Sequence, residues 1–355
     1  MKIKLYFDLN ENIKKDWHSL ENDNLHILPF HQYEWVKLYY DINRLKKNLT
    51  FLFILVYENE KLLLIFPFVV KKGLVNRIEY LGSPFNDINA PLYDHNSKIS
   101  DEDIALIKIK ILEKLKNYGD IIHFKNQPEY ILSKENKFIF NKYIINKHIC
   151  YRIKNNSEFL KNLLEHKFFK KLNQNEKKIK NFHLKEVKEY NEILEAFNFF
   201  YKNKFLQLEK TNKRNYLKDN LNKNFVKQNF LSKKISKEIY ILKLNKILIS
   251  MFFVYKVNKN IFYIYPTYNF DYSKISPGNM ALKIYFQKFH NEFDYYDFTV
   301  GEEMYKEKWS NEKIFLYDNV QAFTFIGYIY YLNIKLILKL KKVSFLRKIF
   351  LVFRK

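Results

Sequence analysis

Two pairs of apolar runs, each joined by a short polar turn, limit what this chain can fold into. Phe51–Tyr57 and Leu62–Val70 flank the charged turn Glu58-Asn59-Glu60-Lys61, and Ile247–Val257 and Asn260–Tyr268 flank Asn258-Lys259. Each run is far shorter than the ~20 apolar residues a membrane-crossing helix needs. Short runs rich in Val, Ile, Phe and Tyr read as buried strands, and a close pair across a polar turn reads as an antiparallel hairpin. Strands apolar on both faces need covering layers. Helical patterns on either side of each hairpin supply them.

The order of elements occurs twice. Residues 28–40 read as a helix, with Trp35, Leu38 and Tyr39 at helical spacing; the first hairpin follows, then a short strand over Ile78–Leu81, an amphipathic helix over Asp101–Tyr118 stopped by Gly119, and a strand over Ile121–Lys125. In the second half, Glu158–Lys180 and Glu189–Leu208 read as helices and Lys233–Lys237 as a basic connector. The strands Glu238–Leu244, Ile247–Val257 and Asn260–Tyr268 come next, then a helix opened by Ser276-Pro277-Gly278 and a strand over Tyr295–Val300. The fold class is therefore α+β: two modules of one design, each a mixed sheet flanked by helices. The expected division is 1–152 and 153–328, the second module carrying a helical insertion over 156–235. A basic amphipathic tail, 329–355, contains Lys335, Lys339, Lys341, Lys342, Arg347, Lys348, Arg354 and Lys355. Such a tail either lies on an anionic membrane or docks on the second module with its basic face in water.

Composition narrows the chemistry. The single cysteine, Cys150, excludes an internal disulfide and a thiolate metal cluster, and points to a reducing compartment. No secretory leader pattern is present. The expectation is a cytoplasmic chain, with peripheral attachment at the inner face of a membrane as the variant. The formal net charge of +24 fits a polyanion such as tRNA, phosphate or an anionic membrane, but Lys, Asn and Ile crowd the whole chain, as a coding bias also produces. GxGxxG, GxxxxGK[ST], HExxH and GxSxG are all absent, so nucleotide-triphosphate, metal and serine-hydrolase chemistry have no motif here. No metal is expected. His183 and His290 are isolated histidines with no catalytic spacing.

Residues 261–309 carry the chemistry-bearing pattern. The strand Ile261–Tyr265 leads through Pro266-Thr267-Tyr268 to Ser276-Pro277-Gly278-Asn279 and an apolar helix. Serine suits a helix cap and proline the first position, while glycine leaves the backbone N–H groups open to an anion. Past the next strand, Asp297-Phe298-Thr299-Val300-Gly301-Glu302-Glu303-Met304-Tyr305-Lys306 gathers acid, phenol and amine groups, and Trp309 follows.

The Ser-Pro-Gly helix start, with the later Asp-Phe-x-x-Gly-Glu-x-x-Tyr-Lys-x-x-Trp, resembles the FemAB/CelD-like branch of the GNAT acyltransferase superfamily. Phe30-His31-Gln32-Tyr33-Glu34-Trp35, Pro67-Phe68 and the segment Gly82-Ser83-Pro84-Phe85-Asn86-Asp87 through Ala90-Pro91-Leu92 agree more loosely. The resemblance spans about residues 25–320. It implies two GNAT-like modules and transfer of an acyl group, acetyl foremost, from acyl-CoA to an amine such as an amino sugar or a surface-polysaccharide precursor. Peptidoglycan-bridging members use aminoacyl-tRNA instead, and a non-catalytic binding protein of the same fold is the remaining alternative. The chain departs from the usual Gln/Arg-x-x-Gly-x-Gly/Ala donor loop: Asp271–Met280 holds one glycine. On this reading Ser276, Gly278 and Asn279 hold the donor. A backbone N–H near Tyr265–Tyr268 polarises the carbonyl, and Glu302, Glu303 or Asp297 takes the amine proton. Tyr305 gives a proton, Lys306 holds negative charge, and Asp87, Tyr268 and Trp309 contact substrate.

Overall fold

A computed structural model describes residues 1–22, 24–140, 144–156, 158, 159, 163, 167–179 and 181–342. The chain divides into two compact units, Met1–His148 with Phe315–Lys355, and Ile149–Ile314.

The first unit begins with β1 (Lys2–Tyr6), α1 (Glu11–Asn22) and α2 (Tyr33–Asn43). The expected hairpin follows as β2 (Leu49–Glu58) and β3 (Lys61–Lys71), paired antiparallel from Leu49↔Lys71 to Glu58↔Lys61. Asn59 and Glu60 make the turn, both with positive φ. Then come β4 (Arg77–Tyr80), β5 (Leu92–Tyr93), α3 (Asp101–Leu115), β6 (Ile121–Pro128), β7 (Tyr130–Ile131) and β8 (Lys134–Glu135). Ser100 caps α3 by accepting from the Asp103 N–H, and three acidic residues fill its first turn against the positive end of the helix. β4 and β6 run parallel but pair only at Arg77↔Ile121 and Ile78↔Ile122. The core stacks rings along the sheet: Phe68 and Phe124 lie 4.8 Å apart between centroids and 5° from parallel.

Burial shapes the histidines of this unit. His31 is 3% exposed; its Nδ1 accepts from the Leu28 N–H and its Nε2 donates to the Ala90 carbonyl. Burial pushes His31 down from 6.5 to about 4, and His123 likewise to about 4. Both bind protons more weakly folded than unfolded. Their contribution is therefore complete above pH 6.5 and is lost as pH falls from there toward 4. At about 1.4 kcal/mol per pKa unit, His31 alone removes about 3 kcal/mol across that window. Thermal melts at successive pH values should show this unit weakening well above the carboxylate range; a flat profile between pH 7 and 5 would contradict it.

β9 (Ile144–Lys154) carries the chain into the second unit from Ile149 onward. There follow α4 (Lys167–Lys178), β10 (Phe182–Glu186), α5 (Tyr190–Lys210), α6 (Asn220–Leu231), β11 (Lys237–Leu244), β12 (Ile247–Val257), β13 (Asn260–Tyr268), α7 (Pro277–Phe289), β14 (Tyr295–Val300) and α8 (Met304–Trp309). Strand order is β9-β14-β13-β12-β11-β10, with β13–β14 parallel and the others antiparallel. Met280, Tyr285 and Phe286 of α7 join Phe252, Tyr263, Tyr296 and Trp309 in one apolar core. β15 (Glu312–Ala322) and α9 (Phe325–Lys342) complete the chain.

Each unit is a mixed sheet flanked by helices, as the sequence reading expects. Several local expectations need correction. The helix over 28–40 is a 3-10 turn, Pro29–His31, followed by α2, because Gln32 sits in extended conformation between them. The helix expected over 158–180 agrees with the described residues 158, 159, 163 and 167–178, which are helical, and the chain then enters β10, which pairs with β11. The chain from Phe315 onward groups with the first unit rather than extending the second to 328, since β15 pairs antiparallel with β6 from Leu316↔Pro128 to Ala322↔Ile121. The tail expected from 329 is helical from Phe325.

Candidate functional site

In the second unit, β13 and β14 pair only at Asn260↔Tyr295, Ile261↔Tyr296 and Phe262↔Asp297. Beyond Phe262 no pairing joins them. On its other edge β13 bulges: its partners on β12 jump from Phe253↔Ile264 to Met251↔Thr267, and Tyr265 is left-handed with φ 53°. Pro266, which has no N–H to give a ladder, occupies the irregularity. Where the strands part there is a cavity of about 270 Å³, lined by β13, the start of α7, and side chains of α5 and α8. That approaches the roughly 300–1,000 Å³ usual for small-molecule sites.

The start of α7 faces this cavity. Ser276 occupies the cap position but its hydroxyl caps nothing, which corrects the expected serine cap. The reason is conformational: Ser276 is left-handed (φ 54°, ψ 57°), closing the preceding 3-10 turn Phe270–Ile275 through its N–H to the Ser273 carbonyl. Ser276 therefore offers the first-turn amides of α7 no capping oxygen, and they sit at the positive end of a 13-residue helix. Gly278 is not left-handed, and a Cβ built on it would meet no atom within 4 Å. Neither its backbone nor its packing demands glycine, so what the missing side chain provides is open space over the helix end. Asn279 also lines the cavity, its Oδ1 held by the Trp309 indole N–H at 3.0 Å.

The structure brings some of the expected residues to this cavity and not others. Ser276, Gly278, Asn279, Tyr268, Glu303 and Tyr305 line it. Burial would raise the Glu303 carboxyl, but Lys306 at 3.1 Å, with Lys213, holds it below the usual carboxylate range, so it is ionised at neutral pH. Burial pushes the half-buried Tyr305 phenol far above its ordinary value, so it keeps its proton.

Asp297, Glu302, Lys306 and Trp309 are not among the lining residues. Asp297 is 2% exposed; it accepts from the Cys150 thiol at 3.1 Å and the Thr299 N–H at 2.7 Å. Burial raises its pKa, with Arg152 opposing. Both bonds fall on Oδ1 and hold the carboxylate inside the sheet. Lys306 is buried, donating to the Val300 carbonyl at 2.8 Å and pairing with Glu303. Its role is to shape the turn and set the charge of Glu303. Gly301 makes that turn possible: its φ is +134°, and a Cβ there would fall 2.3 Å from Glu303 Oε2. Glu302 is exposed. Trp309 is fully buried against Phe169 and Phe286, and its indole N–H donates to Asn279, which lines the cavity.

Sequence reasoning missed Thr267, Gln207 and Lys204. Thr267 is 3% exposed and lines the cavity, and among the described residues its Oγ1 has no hydrogen-bond partner, nor does the Oε1 of Gln207. Buried polar atoms without partners are rare and ask for a ligand or water. Lys204 Nζ donates to the Pro266 carbonyl at 3.3 Å. The available signal was Pro266 inside a strand, which marks a break in the ladder and an exposed backbone edge.

Asp87 lies in the first unit. It lines a polar cavity of about 100 Å³ with Tyr80, Asn86, His123 and Lys125, just past the point where β4 and β6 stop pairing. Among the described residues, Tyr80 OH, Asn86 Oδ1 and His123 Nδ1 have no hydrogen-bond partner. Among the described residues, no group of three or more His, Cys, Asp or Glu side chains is arranged to hold a metal ion.

Residues 166–307 match the acetyltransferase (GNAT) domain family. The structure is similar to the crystal structure of FemX, with a TM-score of 0.56 and 12% identity, covering 87% of this chain and 99% of that one. It is also similar to L-PGS from Bacillus licheniformis (TM-score 0.51, 12% identity, 86% of this chain and 96% of that one). A tandem GNAT protein from the clavulanic acid biosynthesis pathway gives a TM-score of 0.50 at 8% identity, over 91% of this chain and 99% of that one. No curated protein matches the sequence. The chain carries a GNAT-type acetyltransferase domain, and its fold is that of the FemAB-like, tandem GNAT proteins.

Proposed function

We propose that the second unit transfers an acyl group, acetyl foremost, from acyl-CoA to an amine, with an amino sugar or a surface-polysaccharide precursor as the acceptor class. One observation carries this reading: a single cavity joins uncapped helix amides, the unpartnered Thr267 hydroxyl, the ionised Glu303 and the protonated Tyr305. GNAT domains generally use acyl-CoA, and the thioester supplies the activated carbonyl. The Gly278 and Asn279 amides hold the donor's phosphate oxygens. The Thr267 hydroxyl donates to the carbonyl oxygen as negative charge develops on it. Glu303 orients the attacking amine and receives its proton as the C–N bond forms. Tyr305 gives its phenolic proton to the departing sulfur as the C–S bond breaks. Asp87, in the polar cavity of the first unit, is proposed as a substrate-binding residue.

A second reading, with aminoacyl-tRNA as donor, is favoured by the net charge of +24 and the single glycine of the donor loop. Thioester cleavage with a panel of amino sugars, alongside calorimetric titrations with CoA and with charged tRNA, tests both. Tyr305→Phe is expected to keep CoA affinity and lose about 100-fold or more in turnover, the scale of a lost proton donor. Failure of CoA to bind, with tight tRNA binding, would transfer the site to the second reading. Binding of neither would end both.

A further inference from the structure

Helix α9 (Phe325–Lys342) is fixed to the first unit along one side. Gly327 packs against the Asp120 carbonyl, where a Cβ would stand 2.1 Å from the oxygen, and the Tyr330 hydroxyl accepts from Arg77 at 2.8 Å. Thr324, just before the helix, donates to Asp120 Oδ1 at 2.9 Å. Among the described residues, the other side is exposed and apolar. Phe325 (80% exposed), Ile329 (44%), Leu332 (47%) and Leu336 (54%) recur at intervals of four, three and four residues, which places them on one helical stripe. Isolated exposed apolar residues are ordinary; a continuous row of large ones on a single helix is not.

Charge identifies what covers the row. Lys335 and Lys339 are exposed and flank the stripe on one side. From Phe325 to Lys355 the sequence has no Asp or Glu, and its cations continue with Lys341, Lys342, Arg347, Lys348, Arg354 and Lys355, which lie outside the residues whose side chains are described. No described helix is long and apolar enough to cross a membrane. An apolar stripe flanked by lysines, on a helix anchored by its opposite face, has the form of a helix lying in the headgroup layer. We propose that α9 docks the protein on an anionic lipid surface, with Phe325, Ile329, Leu332 and Leu336 inserted among the acyl chains and Lys335 and Lys339 against lipid phosphates. The inference is independent of the donor site.

Co-sedimentation of the full chain with vesicles tests it. Binding is expected to phosphatidylglycerol-containing vesicles and not to pure phosphatidylcholine, and to weaken as salt shortens the reach of surface charge. Phe325→Ser/Leu332→Ser/Leu336→Ser should lower partitioning tenfold or more with the melting temperature unchanged, because these side chains are exposed. Lys335→Gln/Lys339→Gln should lower it about tenfold while leaving the apolar row intact. Three results would overturn the proposal. One is absence of binding to anionic vesicles; another is equal binding by the triple variant, which would assign the attraction to the rest of the +24 charge. The third is a dimer, or a melting temperature, that the triple variant loses, which would show that protein covers the stripe.

Discussion

Gly278→Val is expected to leave the protein folded with its melting temperature unchanged or raised, and to weaken acyl-CoA binding by about 10- to 100-fold. Position 278 tolerates a side chain structurally: its φ is outside the left-handed region and the space around its Cβ is open. Replacing a glycine by valine in a helix even favours the helix slightly, by roughly 0.3 kcal/mol. The loss falls on the ligand. A branched side chain over the first turn of α7 keeps phosphate oxygens from the amides, and each charge-assisted hydrogen bond lost is worth roughly 1.5–3 kcal/mol, or one to two factors of ten. Calorimetry with CoA, beside a thermal melt, separates the two quantities. Unchanged affinity in a folded variant would remove the helix end from the site.

Trp309→Ala is expected to destabilise the protein by about 3–5 kcal/mol, the range for deleting a buried aromatic. Trp309 is fully buried, edge-on to Phe169 at 4.5 Å between centroids and 5.2 Å from Phe286. Against a total stability of about 5–15 kcal/mol, that is enough to leave a marginal fold. Trp309→Phe separates packing from positioning. It keeps most of the ring volume and removes the indole N–H that holds Asn279, so it should cost about 1 kcal/mol in urea denaturation, while donor affinity falls because Asn279 is free to turn. A mild effect of alanine on stability would contradict the place of Trp309 in the core.

The two hairpins were legible because their signal is local: unbroken apolar runs and a polar turn between them. The start of α7 was legible for the same reason, since Pro277 and Gly278 announce a helix end within three residues. What lay beyond local reach was which polar groups are already used. Asp297 and Lys306 look like site residues in sequence, but the partners that occupy them include Cys150, 147 positions away from Asp297, and a backbone carbonyl at Val300. Ser276 reads as a cap until the 3-10 turn before it forces a left-handed residue there. Thr267 has no motif at all. Its significance arises from an unpartnered hydroxyl beside a cavity, which exists only once β13 and β14 have parted. β10, α8 and β15 were passed over because their apolar residues are interrupted by charges, and strand pairing, not local pattern, holds β10 and β15 in place.

The central claim is that the amino end of α7 holds the acyl donor. A crystal structure of the protein soaked with CoA tests it most directly. The account predicts pyrophosphate oxygens within hydrogen-bond distance of the Gly278 and Asn279 amides, with the thiol arm running past Thr267 toward Tyr305 and Glu303. CoA bound elsewhere on the chain, with the helix end untouched, would contradict it.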